Sequence, residues 1–313
     1  MAEARLLDGK RVAAEIREEV RMEAAQFFDK EGIRPRIVFI LVGNNPASEV
    51  YVRNKGIAAE EAGFSHETRV LPIETEEYEL LDAIRSINED PATHGLLVQF
   101  PLPKQIREER VIELLAPEKD VDGFHPLNAG RLSIGKGDYF APCTPSGVIE
   151  LLARENIEVS GKHAVIVGRS NLVGKPLALL LAQKNSKANA VVTLAHSGAG
   201  ERLGEITRSA DVLIAAMGVP RAITAEMVRE DAVVVDVGIN RISDATRKSG
   251  SRLVGDVDFD NVKFKASAIT PVPGGIGPMT IAMLLKNTLT AAKRQCSANP
   301  SASSGQAFSL RPV

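Results

Sequence analysis

HAVIVGRSNLVGKPLALLLAQ, residues 163–183, decides the fold. It reads as an apolar strand, a glycine turn and a helix, with Gly168 closing the strand and Gly174 opening the helix ahead of Pro176. This is not a GxGxxG, yet the physics is similar. Gly168 permits a sharp turn, and a helix N-terminus offers unpaired N–H groups and a partial positive charge to phosphate oxygens. An ordinary strand-to-helix turn in a parallel sheet has the same glycine content, so both readings stay open on this segment alone.

Working outward, three more apolar strands follow at helix-length intervals: AVVTLA (190–195), ADVLIAA (210–216) and AVVVDVG (232–238). The alternation predicts an α/β unit of Rossmann type. A site for NAD usually closes the second strand with an acid that binds the ribose 2′-hydroxyl. Here VVTLA runs into His196 and Ser197, while Arg169 sits in the glycine turn. A 2′-phosphate would meet a guanidinium and a hydroxyl, which favours NADP; a solvated loop arginine is the plainer reading of Arg169.

The first half is also α/β. Val12, Ile16, Val20, Ala24 and Phe28 recur every four residues after Asp8, predicting an amphipathic helix with an aspartate cap. The runs RIVFILVG (36–43), HETRVLPI (66–73) and GLLVQF (95–100) alternate with expected helices over 47–62 and 76–88. Such runs predict a parallel sheet covered on both faces. Between Glu118 and Pro145 the periodicity lapses into a Gly-, Pro- and Asp-rich stretch, a candidate boundary, before a helix expected over 146–155. TPVPGGIGP (270–278) leads into a long apolar-periodic helix expected to return to the first domain, and 297–313 is polar and assigned to a flexible tail.

Composition bounds the function. The chain has 313 residues, 44% hydrophobic and 25% charged, as in a globular protein large enough for two domains. Lys+Arg 38 against Asp+Glu 40 leaves no basic excess, so neither nucleic acid nor a membrane surface is an expected partner. The N-terminus has no apolar leader and no run is long enough to span a bilayer, so a cytoplasmic location is expected. Cys143 and Cys296 read as plain thiols, and the five histidines form no metal-ligand spacing, so no bound metal is expected.

Candidate chemistry lies in the first half. Tyr51 and Lys55 are four apart on an expected helix and share a face. Such pairs are common on solvated helices. The same spacing serves short-chain dehydrogenases, but there the dinucleotide glycines come first in the chain, and here they follow. Gln99 ends a strand just before Pro101, where α/β sheets place ligand-facing residues. Asp122 precedes Gly123 in KDVDGF and reads equally as a turn aspartate. The PGGIG turn at 273–277 could be a hinge, or let backbone approach a flat ligand.

YVRNK, VQFPLP, PEKDVDGFHPLNAGRL, PCTPSG, VGRSNLVGKP, DVGIN and PVPGGIGPMT occur in that order. With these motifs, over about residues 5–293, the chain resembles the bifunctional methylenetetrahydrofolate dehydrogenase/cyclohydrolase family. The resemblance implies two α/β domains with a cleft between them: a folate-binding catalytic domain (1–141 plus 276–296) and an NADP-binding Rossmann domain (142–275), in a homodimer. It implies that Tyr51 stacks on a tetrahydrofolate derivative, that Lys55 is the catalytic lysine tuned by Gln99, and that Asp122 holds the pterin, these four forming the catalytic set. Val98, Phe100, Pro273, Gly274, Gly275, Ile276 and Gly277 would line the folate pocket. Gly168, Arg169, Ser170, Ser197 and Ile239 would contact NADP. One departure is the run Gly198, Ala199, Gly200, where the family commonly has a basic or polar residue and threonine. The implied chemistry is oxidation of 5,10-methylenetetrahydrofolate followed by hydrolysis of the methenyl cation to 10-formyltetrahydrofolate. The first step needs positioning; the second needs proton movement, for which a lysine of lowered pKa is suited. A shikimate-dehydrogenase-like oxidoreductase and a non-catalytic NADP-binding protein are the rival readings.

Overall fold

The computed structural model describes residues 3–247 and 250–298. In chain order its elements are β1 (Arg5–Leu6), α1 (Gly9–Glu31), β2 (Arg36–Val42), α2 (Pro46–Glu61), β3 (Ser65–Leu71), α3 (Glu77–Glu89), β4 (Gly95–Val98), α4 (Glu108–Leu114), α5 (Pro126–Ile134) and α6 (Cys143–Arg154). There follow β5 (His163–Val167), α7 (Gly174–Ala182), β6 (Val191–Ala195), α8 (Leu203–Arg208), β7 (Val212–Ala215), β8 (Val233–Asp236), β9 (Asn240–Ser243), β10 (Ser251–Val254), α9 (Phe259–Val262), β11 (Ala268–Ile269) and α10 (Ile276–Ala298). The described residues form two compact units, one of 17–121 with 285–298, the other of 3–16 with 122–284.

The smaller unit is built on a parallel sheet in the order β3-β2-β4. β2 is buried from Ile37 to Val42 because both its faces are covered, as its unbroken apolar run requires. α3 turns Leu80, Leu81, Ile84 and Ile87 onto the core and is opened by a capping box between Glu76 and Glu79. The second half of α10 completes this unit. Asn287 Nδ2 donates to Val121 O at 2.9 Å, and Gln295 Nε2 donates to His94 O and Glu118 O at 2.9 and 3.0 Å. The chain runs from β2 to β3 on one side and then to β4 on the other, so the topological switch lies at the carboxyl ends of β2 and β4.

The larger unit carries a six-stranded parallel sheet, β1-β11-β8-β7-β5-β6. Its core is aliphatic and drawn from the strands read in the sequence, including Val165, Val167, Leu213 and Val234. Here the chain goes from β5 to β6, then crosses to β7, so the switch lies at the carboxyl ends of β5 and β7. An antiparallel hairpin, β9 with β10, and the helix α5 were not expected from the sequence. α5 ties the aperiodic stretch to this unit, since Gln183 Nε2, just past α7, donates to Leu132 O at 3.1 Å. The compact division falls between Val121 and Asp122. It also falls inside α1 and α10, after Ile16 and Leu284, so residues 3–16 and 276–284 lie with the six-stranded sheet. Most of the expected tail, from 299 on, lies outside the described residues.

Candidate active site

Lys55 is carried by α2, the helix that leaves β2, and Gln99 is the first residue past β4. The switch point of the small sheet thus brings together residues 44 apart in sequence: Lys55 Nζ donates to Gln99 Oε1 at 3.0 Å. Gln99 is fixed twice more. Its backbone N–H continues the ladder to Ile40 O at 2.8 Å, and its Nε2 donates to Phe100 O at 2.8 Å. With the amide nitrogen so engaged, the amide oxygen is the atom turned to Lys55. Lys55 is only 7% exposed, while Tyr51, one turn earlier, is 39% exposed. Val98 is buried at the end of β4, and Phe100 is half-buried ahead of a cis Phe100–Pro101 bond.

Asp122 and the 273–277 turn belong to the larger unit. Asp122 is half-buried, and Gly123 beside it has φ +78°; a Cβ there would lie 2.7 Å from Phe140 O and Pro142 N, so only glycine fits. The PGGIG turn holds a cis Val272–Pro273 bond, exposed Pro273 and Gly274 at φ +109°. It is braced by the start of α1, where Lys10 N donates to Gly274 O at 2.9 Å and Gly9 passes so close that a Cβ would sit 1.8 Å from Gly275 O. Asp8 caps this helix end by accepting from Arg11 N at 3.0 Å. Ile276 is buried, and Gly277 approaches Ile239, whose Cδ1 would be 3.5 Å from a Cβ at 277. The expected folate-lining turn and the expected cofactor contact are therefore neighbours.

On the cofactor side, Gly168 ends β5 at the switch point with φ +133°, and a Cβ there would lie 2.0 Å from Ala216 O. Gly174 is packed as tightly, 1.9 Å from Gly168 O by the same measure. Both glycines are thus required by close backbone approach, which makes the turn a cradle as well as a bend. Ser170 Oγ accepts from Val173 N at 3.1 Å and Gly174 N at 3.4 Å, ordering the start of α7. Arg169 and Ser197 are exposed, and among the described residues Arg169 has no side-chain hydrogen bond or ion pair. Beyond β6, His196 accepts from Gly198 N at 3.0 Å, and Ile239 is 44% exposed. A guanidinium and a hydroxyl at the ends of β5 and β6, with no carboxylate there, fit a 2′-phosphorylated dinucleotide.

Sequence reasoning missed a pair of buried carboxylates behind this surface, Asp236 and Asp256, 2% and 0% exposed. Asp236 accepts from Gly238 N, Asp256 N and Val257 N, each at 2.9 Å. Burial pushes its carboxyl up to about 6 despite those backbone donors. The signal in the sequence is proximity to glycine, in DVG and GDVD: a Cβ at Gly238 would meet Asp256 Oδ1 at 2.2 Å, and one at Gly255 would meet Asp236 Oδ2 at 1.8 Å.

Residues 7–122 match the profile of the tetrahydrofolate dehydrogenase/cyclohydrolase catalytic domain, and residues 142–296 that of the NAD(P)-binding domain of the same family. The bifunctional protein FolD of Chlorobium phaeovibrioides (strain DSM 265 / 1930) is 54% identical over 290 residues, covering 92% of this chain and 98% of the relative. The bifunctional FolD methylenetetrahydrofolate dehydrogenase/cyclohydrolase of Campylobacter jejuni superposes with a TM-score of 0.86 at 46% identity, over 92% of this chain and 98% of its own. The Trypanosoma brucei N5,N10-methylenetetrahydrofolate dehydrogenase-cyclohydrolase (FolD), solved with NADP cofactor and inhibitor, gives a TM-score of 0.88 at 39% identity, over 94% and 99%.

Proposed function

The chain belongs to the tetrahydrofolate dehydrogenase/cyclohydrolase family, and from that premise we propose how its residues divide the two reactions. NADP, when bound, supplies the hydride acceptor for oxidation of 5,10-methylenetetrahydrofolate. The hydride leaves a carbon flanked by two nitrogens whose lone pairs stabilise the resulting methenyl cation, so the protein's part in this step is alignment. Gly168, Arg169, Ser170, Ser197 and Ile239 hold the cofactor; Tyr51, Val98, Phe100, Asp122 and the turn from Pro273 to Gly277 hold the folate. In the second step water adds to the methenyl carbon, a proton is released, and the bond to one ring nitrogen breaks to leave 10-formyltetrahydrofolate. Lys55 moves that proton, with Gln99 setting the direction of its amine.

The observation that carries this reading is the buried Lys55 held by Gln99 Oε1 at the switch point of the small sheet. Lys55→Met is expected to abolish methenyl hydrolysis, followed by loss of methenyl absorbance; undiminished hydrolysis would remove Lys55 from this role. Gln99→Ala is expected to slow the same step by about tenfold or more, since a hydrogen bond to a charged group is lost.

We further propose a homodimer in the cytoplasm, with the folate-binding domain formed by 1–141 plus 276–296 and the NADP domain by 142–275. Support for self-association comes from β3, an edge strand with Val70 62% exposed, beside exposed Ile57 and Ile73 and a groove of about 310 Å³ against α2. Val70→Lys is expected to shift sedimentation from dimer to monomer. No helix among the described residues is long and apolar enough to cross a membrane.

A further inference from the structure

We propose that Asp256 is a positioning residue for the dinucleotide: its carboxylate fixes, from behind, the 216–218 turn and the turn that carries Ile239. The inference rests on the reading above that Gly168, Arg169 and Ile239 meet the cofactor. Asp256 Oδ2 accepts from Met217 N at 2.6 Å and Gly218 N at 2.9 Å, and Oδ1 accepts from Asn240 Nδ2 at 2.8 Å. One fully buried side chain thereby links the loop after β7 to the start of β9, where the loop after β8 ends.

Both loops bear on the site. Ala216 O lies against Gly168, where a Cβ would be 2.0 Å away, so any drift of the 216–218 turn is felt at the end of β5. Asn240 follows Ile239 directly, so the bond to Asp256 Oδ1 fixes the residue next to the exposed Ile239 side chain. Asp256 is itself held: its backbone N–H donates to Asp236 Oδ1, and Asp236 N donates to Thr270 Oγ1 at 2.7 Å. Burying a carboxylate costs free energy unless its oxygens are hydrogen-bonded, as these are. What an apolar side chain would not do is accept two turn amides and orient a third residue at the carboxyl ends of parallel strands, where a sheet of this kind binds its ligand.

The test is steady-state kinetics of the full-length enzyme, with NADP and the folate varied separately and methenyl hydrolysis measured without NADP. Asp256→Ala is expected to raise KM for NADP by about tenfold or more, the loss of charge-assisted hydrogen bonds, with KM for methylenetetrahydrofolate within about twofold. Dehydrogenation should fall far more than hydrolysis. Asp256→Asn keeps an acceptor for the 217 and 218 amides while Asn240 turns its amide over, and should recover most of the NADP affinity. If Asp256→Ala does not fold, Asn240→Ala decides: raised KM for NADP supports the proposal, and unchanged KM overturns it. Equal loss in both activities and both KM values, in folded variants, would also overturn it. Arg169→Ala separates the two readings. A raised KM for NADP in Arg169→Ala with none in Asp256→Ala overturns this inference alone; no effect in Arg169→Ala overturns the cofactor assignment beneath it.

Discussion

His94 and Asp236 are both buried ionisable side chains, one in each unit, and burial moves them in opposite directions. Burial, helped by the nearby Lys119 ammonium, lowers His94 to about 4, while its Nδ1 accepts from Arg36 N at 3.0 Å. Between that value and 6.5 the unfolded chain binds the extra proton, so this group's contribution is complete above 6.5 and is lost as pH falls towards 4. Asp236 is raised from 3.8 to about 6, so the native state holds the extra proton in that window and its contribution is lost as pH rises through 6. The two slopes oppose each other. His94→Asn is expected to flatten or reverse the rise in stability between pH 4.5 and 6.5, a term of about 2 kcal/mol, seen in urea unfolding followed by circular dichroism. A slope unchanged from the parent would show that His94 is not held neutral. Neither residue was legible from sequence. Helical spacing puts Tyr51 and Lys55 on one face and Gln99 ends a strand, but only the family resemblance singled the three out together. Asp236 and Asp256 meet across 20 residues with no helical or strand period between them, and an aspartate at the end of an apolar run reads as no more than its terminator.

Among the elements, the strands read correctly are mostly continuous apolar runs, such as β2 and β5, and apolar burial alone announces them. α5 was lost because nine residues containing Gly130 show little period. Its marks lie at its ends: Pro126 in the first turn, the His125 side chain accepting from Leu127 N, and Gly135 at φ +68° as the stop. The β9–β10 hairpin was lost because its strands, NRIS and SRLV, mix polar with apolar residues and are only partly buried. Where elements meet, glycines carry the fit, and this gives a prediction for each half of the site. Gly168→Ala forces a side chain into φ +133° and onto Ala216 O, and is expected to cost about 1–3 kcal/mol of stability along with NADP binding. Thermal unfolding and calorimetric titration would show both; normal binding would mean the turn can open without loss. Gly9→Ala pushes α1 against Gly275 O and should raise KM for the folate more than KM for NADP. Equal effects on the two would count against a folate-facing PGGIG turn.

For the molecule as a whole, the sequence yielded two α/β units, their order and a last helix returning to the first unit, but not where along α1 and α10 the compact units divide. Periodicity is local, and sharing is set by which distant segment covers which face. Residues 17–121 are completed by residues 285–298, whose Leu289, Ala291 and Ala292 are buried and whose Thr288 Oγ1 lies 3.4 Å from where a Cβ on Gly95 would be. A chain ending at 284 is therefore expected to lose the β3-β2-β4 unit to proteolysis while the six-stranded unit resists longer. Equal resistance of both would show that the smaller sheet stands without α10. The same sharing governs how the protein is made. Ribosomes release β2, β3 and β4 early, yet the strip that covers them is translated only after residues 122–284, a delay on the order of ten to thirty seconds. Through that interval the first sheet to emerge is the one that must wait with an apolar face bare. A nascent chain stalled in this window would therefore be the form most in need of a chaperone.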